Sequence, residues 1–210
     1  MDMQDLLIIG CDATVDEATD IATSGMQARY KNVRGIQLHA EDYFPRDYSL
    51  LDEFNAQETL VCVVGNEYYI NQVRAEVYAT VKAKGFRFTN IISSQALVSP
   101  TANLGESNVI WPGAYIGART SIGNGCMIRG GAQIYPDCKL ENFVTVEPHC
   151  IIRESCTLQN HCTLCAHTYL MRTAHIGASV YINKPGQYHG YLNPNTFISP
   201  FFENRIQVVG

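Results

Sequence analysis

The stretch VEPHCIIRESCTLQNHC, Val146 to Cys162, concentrates side chains that do proton and sulfur chemistry: two carboxylates, two imidazoles and three thiols. A neutral imidazole takes a proton from a hydroxyl or amine, a nearby carboxylate orients or tunes it, and a thiolate attacks or ligates. A third imidazole, His167, lies eighteen residues beyond His149. The three cysteines fall six apart, as do Val146, Ile152 and Leu158. No helix or flat strand has that period, so the chemistry depends on a shape that does.

The register extends well beyond this stretch. An aliphatic residue recurs every sixth position from Leu104 through Ile110, Ile116 and onward to Ile176 and Ile182, without a break. Four places after each anchor sits a mostly small residue, and five of the eight cysteines (Cys126, Cys138, Cys150, Cys156 and Cys162) occupy that slot. A hexapeptide period of large aliphatic and small residues is the signature of a parallel β-helix, in which short strands wind into a three-sided prism. The cysteines then fill the core as small free thiols instead of forming disulfides. With three hexads per coil, these repeats make between four and five coils, and residues eighteen apart stack at ~4.8 Å.

His149 and His167 each stand three places after an anchor, Val146 and Leu164, so they are expected to stack on successive coils. A stacked pair disfavours double protonation, leaving one ring neutral near pH 7 and able to act as a base. The competing reading is that these are solvent-facing corner residues without chemistry. His161 occupies the equivalent slot on an adjacent face and points elsewhere.

Residues 1 to about 95 follow a different pattern. LLIIG and TLVCVVG read as buried strands, TVDEATDIATSGM and YYINQVRAEVYATVKAKG as amphipathic helices, and FRFTNII as a further strand. This alternation implies a small Rossmann-like α/β domain with a parallel sheet, whose ligands lie beyond the carboxyl ends of the strands, near Gly10 and the loop Gly65, Asn66, Glu67. The 210 residues with 46% apolar content support a buried core. The net charge of -5 and the absence of a basic run argue against a nucleic-acid surface. The N-terminus MDMQDLLIIG has neither a basic leader nor the length of a membrane span, so a cytoplasmic protein is expected.

The α/β front, the join GFRFTNIISSQALVSPTANLGESNVIWPGAYIGA and the hexads together resemble the NeuD/PglD-type sugar O- and N-acyltransferases of the hexapeptide-repeat superfamily, over about residues 5 to 183. The resemblance implies a left-handed β-helix, an exception to the usual right-handed crossover. Residues 188–210, rich in aromatics after the hexads stop, are expected to cap the prism's open edge or clasp a neighbouring subunit; the resemblance implies residues 1–97 as a nucleotide-sugar domain and 98–187 as the acyltransferase prism. It further implies a homotrimer, acetyl-CoA or another acyl-CoA as cosubstrate in the groove between prisms, no metal, and a sugar or nucleotide-sugar acceptor touching Gly10, Gly65 and Asn66.

Two departures from the family pattern stand out. The Gly-rich turn after the first strand reads GCDATVDE here, and its acids repel a phosphate. In the hexad V-E-P-H-C-I, Glu147 matches, but Pro148 stands where the family's base belongs, with His149 one place further on. The expected catalytic group is therefore His149 as base, with Glu147 or His167 orienting it. A diverged, non-catalytic trimer that binds a ligand or partner is the alternative. A zinc enzyme of the γ-carbonic anhydrase type is a remote third, because the spacings among His149, His161, His167 and His175 do not resemble that family's arrangement.

Overall fold

A computed structural model describes residues 4–25, 29–41, 44–45, 47–67 and 70–207. Strand β1 (Asp5–Gly10) leads into helix α1 (Thr14–Gly25), then β2 (Val33–Gln37), a short hairpin of β3 (Ala40–Glu41) and β4 (Phe44–Pro45), a 3₁₀ turn at Ser49–Glu53, β5 (Thr59–Val63), helix α2 (Gln72–Ala83) and β6 (Arg87–Phe88). The front sheet is parallel with order β2-β1-β5-β6, as alternating strands and helices require. The strand at Val33–Gln37 is an addition to the sequence reading. Its burial is broken by exposed Arg34 and Gly35, so it lacks the apolar run that marks β1 and β5. FRFTNII is two elements: Arg87–Phe88 closes the front sheet, and Ile91–Ile92 begins the prism. Met26, Tyr68 and Tyr69, which the sequence places in the helical stretches, lie outside the described residues.

From Ile91 the chain coils through three parallel sheets, and residues eighteen apart pair directly, as Val146 does with Leu164. The prism is longer than the hexads alone imply. Two of its sheets hold six strands each, so six coils form where four to five were expected. Ile92 and Val98 extend the register backward, and Tyr188, Leu192 and Ile198 carry it forward, pairing with the preceding coil. The parallel rungs thus continue past Gly186 and take in the first part of the tail. An aromatic at the anchor position and a four-residue step to Leu192 conceal them in the sequence. Beyond them, Ile206–Gln207 folds back antiparallel on Thr196–Ile198, so that edge of the last coil has a backbone partner.

The anchors fill the prism interior, and the slot cysteines face inward at 0–1% exposure. Their role goes beyond being small. Each donates its S–H to the carbonyl fifteen residues on: Cys126 to Glu141, Cys138 to Arg153, Cys150 to Cys165, Cys156 to Met171 and Cys162 to Gly177, at 3.0–3.1 Å. Thr120 and Asn108 do the same to Tyr135 and Gly123. Where the slot holds Asn108, Thr120 or one of these cysteines, it therefore supplies a donor to a carbonyl that follows a strand of the next coil, a group that needs a partner once buried. Cys150→Ala removes both volume and donor and is expected to cost about 1–3 kcal/mol in chemical denaturation, whereas Cys150→Thr keeps a donor and costs less. A smaller loss for Ala than for Thr would contradict this account.

Candidate functional site

The front domain docks on one prism sheet through side chains that the sheet presents outward. Thr145 and Thr163, each one place before an anchor, meet the start of α2. Asn71, held in a left-handed conformation at φ 63°, donates through Nδ2 to Thr163 Oγ1 and His161 O and accepts from Thr145 Oγ1. Arg74, 1% exposed, donates to Gly65 O at 2.7 Å, Gly125 O at 2.8 Å and Thr145 Oγ1 at 3.0 Å. Burial lowers its pKa to about 10, so it stays protonated at neutral pH.

One place after the anchors, Trp111, Arg129, Glu147 and Cys165 share one slot on successive coils, and Arg129 reaches Glu17 and Asn66 of the front domain. The Arg129 guanidinium lies 4.4 Å over the Trp111 ring. Its Nη1 pairs with Glu17 at 2.5 Å and its Nη2 donates to Asn66 Oδ1 at 2.8 Å. Its Nε, buried and without a hydrogen-bond acceptor among the described residues, lies 3.9 Å from Glu147. Tyr181 OH donates to Glu67 at 3.4 Å, beside a pocket of about 180 Å³ lined by Ile70, Ser179, Asn195, Thr196 and Phe197. Burial and then the neighbouring Glu67 and Glu147 push the Tyr181 phenol up to about 12.

Glu147 is half-buried, and its pKa is raised by burial first and by Glu67 and Glu17 next, against the lowering effect of Arg129. Ionising it therefore costs the folded state more than the unfolded chain, for which the usual value is 4.5. This penalty is absent in acid and grows as pH rises through the raised pKa. Glu147→Gln is accordingly expected to raise the melting temperature at pH 7, with a gain that vanishes below about pH 4. A pH-independent effect would locate the change elsewhere.

His149 and His167 occupy successive turns at φ 58° and 61° and are exposed. Their rings stack with centroids 5.4 Å apart and 12° between planes, as the eighteen-residue spacing implies. One coil below, at φ 69°, is Gly131, where a Cβ would stand 2.6 Å from His149 Nδ1, so only glycine leaves the floor on which this ring rests. No hydrogen bond joins Glu147 to either imidazole among the described residues; Glu147 faces Arg129 and Glu67 instead. His161 lies on a separate corner, stacked 5.4 Å from Phe143, with its pKa lowered by burial. His175 packs against Tyr191 on another sheet.

Asn66 and Gly65 stand at the domain junction through their contacts with Arg129, Asp12 and Arg74. Gly10 has a packing reason: a Cβ there would meet Val64 O at 2.6 Å and Val15 at 2.9 Å. Sequence reasoning missed Arg129, Tyr181 and Arg74 as parts of this region; it placed Asp12 here as an acid that repels a phosphate, without its bonds to Thr14 and Asn66. Arg129 carries a readable signal, since it stands eighteen residues before Glu147 in the same slot. Arg74 carries another, as a lone cation among Val73, Val77 and Val81 on the buried face of α2.

The bacterial transferase hexapeptide model, of six repeats, matches residues 101–136. No curated protein matches the chain by sequence. Solved structures match nearly its whole length. The acetyltransferase domain of PglB from Neisseria gonorrhoeae, in complex with acetyl coenzyme A, superposes with TM-score 0.81 at 18% identity over 95% of this chain and 98% of its own. A histidine-to-asparagine mutant of perosamine N-acetyltransferase from Caulobacter crescentus, in complex with CoA and GDP-perosamine, gives 0.80 at 20% identity over 93% of both chains. WeeI from Acinetobacter baumannii gives 0.76 at 11% over 97% of this chain and 100% of its own. The chain thus carries hexapeptide repeats of the bacterial transferase type and has the two-part fold of these acetyltransferases, a small parallel-sheet domain on a left-handed β-helix.

Proposed function

We propose that the protein is a trimeric acyltransferase that moves an acetyl group from acetyl-CoA to a hydroxyl or amine of a sugar. The observation that carries this reading is the exposed His149–His167 stack at the corner beside the domain junction, in a fold whose matched structures hold CoA and a sugar substrate. His149 takes the proton from the acceptor hydroxyl or amine as that atom attacks the thioester carbonyl. The tetrahedral adduct then collapses with cleavage of the C–S bond, the acyl group stays on the acceptor, and CoA leaves as the thiol on taking the proton held by His149, which returns to neutral imidazole. The stack on His167 and the close floor at Gly131 restrict how the imidazole can turn. Glu147, Glu67, Arg129 and Tyr181 offer donors and acceptors suited to a polyhydroxylated acceptor.

The test is acetyl-CoA-dependent thiol release over a panel of amino and neutral sugars, with calorimetry of CoA binding. Turnover on one or more acceptors together with CoA binding is expected. The absence of both defeats the reading in favour of a non-catalytic relative, which Pro148 in the position before His149 favours.

A further inference from the structure

A phosphate usually sits at the carboxyl edge of a parallel sheet, because the leading amides of the helix that follows have no partner inside that helix. Here those amides are already taken. Asp12 Oδ1 accepts from Thr14 N at 2.9 Å and from the Thr14 hydroxyl, and Asp12 Oδ2 accepts from Asn66 N at 2.9 Å across the crevice. Val15 N donates to Asp12 O, and both Asp16 N and Glu17 N donate to Ala13 O. The Asn66 side-chain oxygen is committed to Arg129, whose Nη1 is itself committed to Glu17. One carboxylate thus bridges the end of β1 and the end of β5, making the contacts that a bound anion would make.

We propose that Asp12 is a built-in occupant of the phosphate seat and so determines acceptor specificity: the acceptor is a sugar bearing no diphosphate. This inference rests on the acyltransferase reading and narrows it. A diphosphate brought to this edge meets a like charge at hydrogen-bond range and finds no free amide in the first turn of α1. Glu17, Glu67 and Glu147 add negative charge around it, and Arg129 and the buried Arg74 are cations that oppose them. The matched perosamine enzyme, by contrast, was solved with a nucleotide-linked sugar.

The experiment is calorimetric titration of UDP and of GDP into the wild type, Asp12→Gly and Asp12→Asn, alongside acetyl transfer to free amino sugars and to their UDP- and GDP-linked counterparts. The wild type is expected to give no nucleotide heat and to acetylate only the free sugars, whereas Asp12→Gly gains nucleotide affinity by about tenfold or more once the carboxylate is gone. Wild-type binding of UDP or GDP that Asp12→Gly leaves unchanged, or faster transfer to the nucleotide-linked sugars, overturns the proposal. If circular dichroism finds Asp12→Gly unfolded, Asp12→Asn and the wild-type titration decide the matter. Absence of thiol release and CoA heat with every sugar defeats the acyltransferase reading, while the nucleotide titrations still report on Asp12.

Discussion

Arg74→Ala is expected to lower the unfolding free energy by about 3–5 kcal/mol, measured by urea denaturation. The guanidinium is buried in the seam and serves Gly65 O, Gly125 O and Thr145 Oγ1, with a longer bond to Asn66 O, from two parts of the chain. Truncation leaves the two carbonyls short of a donor, each at a cost of about 1–3 kcal/mol, and opens a cavity where the side chain packed. Its hydrogen-bond partners are neutral oxygens, so the loss is one of donors more than of an ion pair. Arg74→Met separates the two contributions, because it keeps most of the volume and none of the N–H groups. Stability equal to the wild type in both variants would remove Arg74 from its place as the rivet of the junction.

His149→Ala is expected to reduce turnover by about a hundredfold to ten-thousandfold while CoA affinity holds, as loss of a general base does. The residue sits at a left-handed corner, where alanine is disfavoured and asparagine is better tolerated. His149→Asn therefore keeps the turn and removes the base, and equal losses in the two variants tie the effect to the imidazole. His167→Asn keeps the second left-handed turn, removes the neighbour in the stack and is expected to cost about tenfold or less. Full activity in His149→Asn would mean that the proton leaves through another group.

What the sequence displays is what repeats. The six-residue period records a steric rule that each coil applies to the next, so the prism, its inward cysteines and the His149–His167 stack were all legible. Legibility failed where the rule bends: Tyr188 stands at an anchor with a four-residue step after it, and Val33–Gln37 is a strand with little buried surface. It also failed where two distant segments meet. Asp12 reads as an acid hostile to phosphate, but its bonds to Thr14 and Asn66 depend on the packing of β1 against β5. Arg129 lies beside Glu147 by the eighteen-residue register, but it joins Glu17 and Asn66 only after the front domain has docked. The S–H donors of the small slot were hidden for a similar reason, since their acceptors lie fifteen residues away on the neighbouring coil.

The seam grips the prism from Glu106 and Ser107 on the early coils, through Gly125 and Thr145, to Thr163 and Tyr181. Each coil leans on its immediate neighbours alone, so loosening travels along the stack one layer at a time. Amide deuteration should consequently run fastest from residues 187–207 inward and stall at the layers gripped by Asn71 and Arg74. The imidazole corner belongs to those gripped layers, which shield its geometry from fraying at the carboxyl-terminal end.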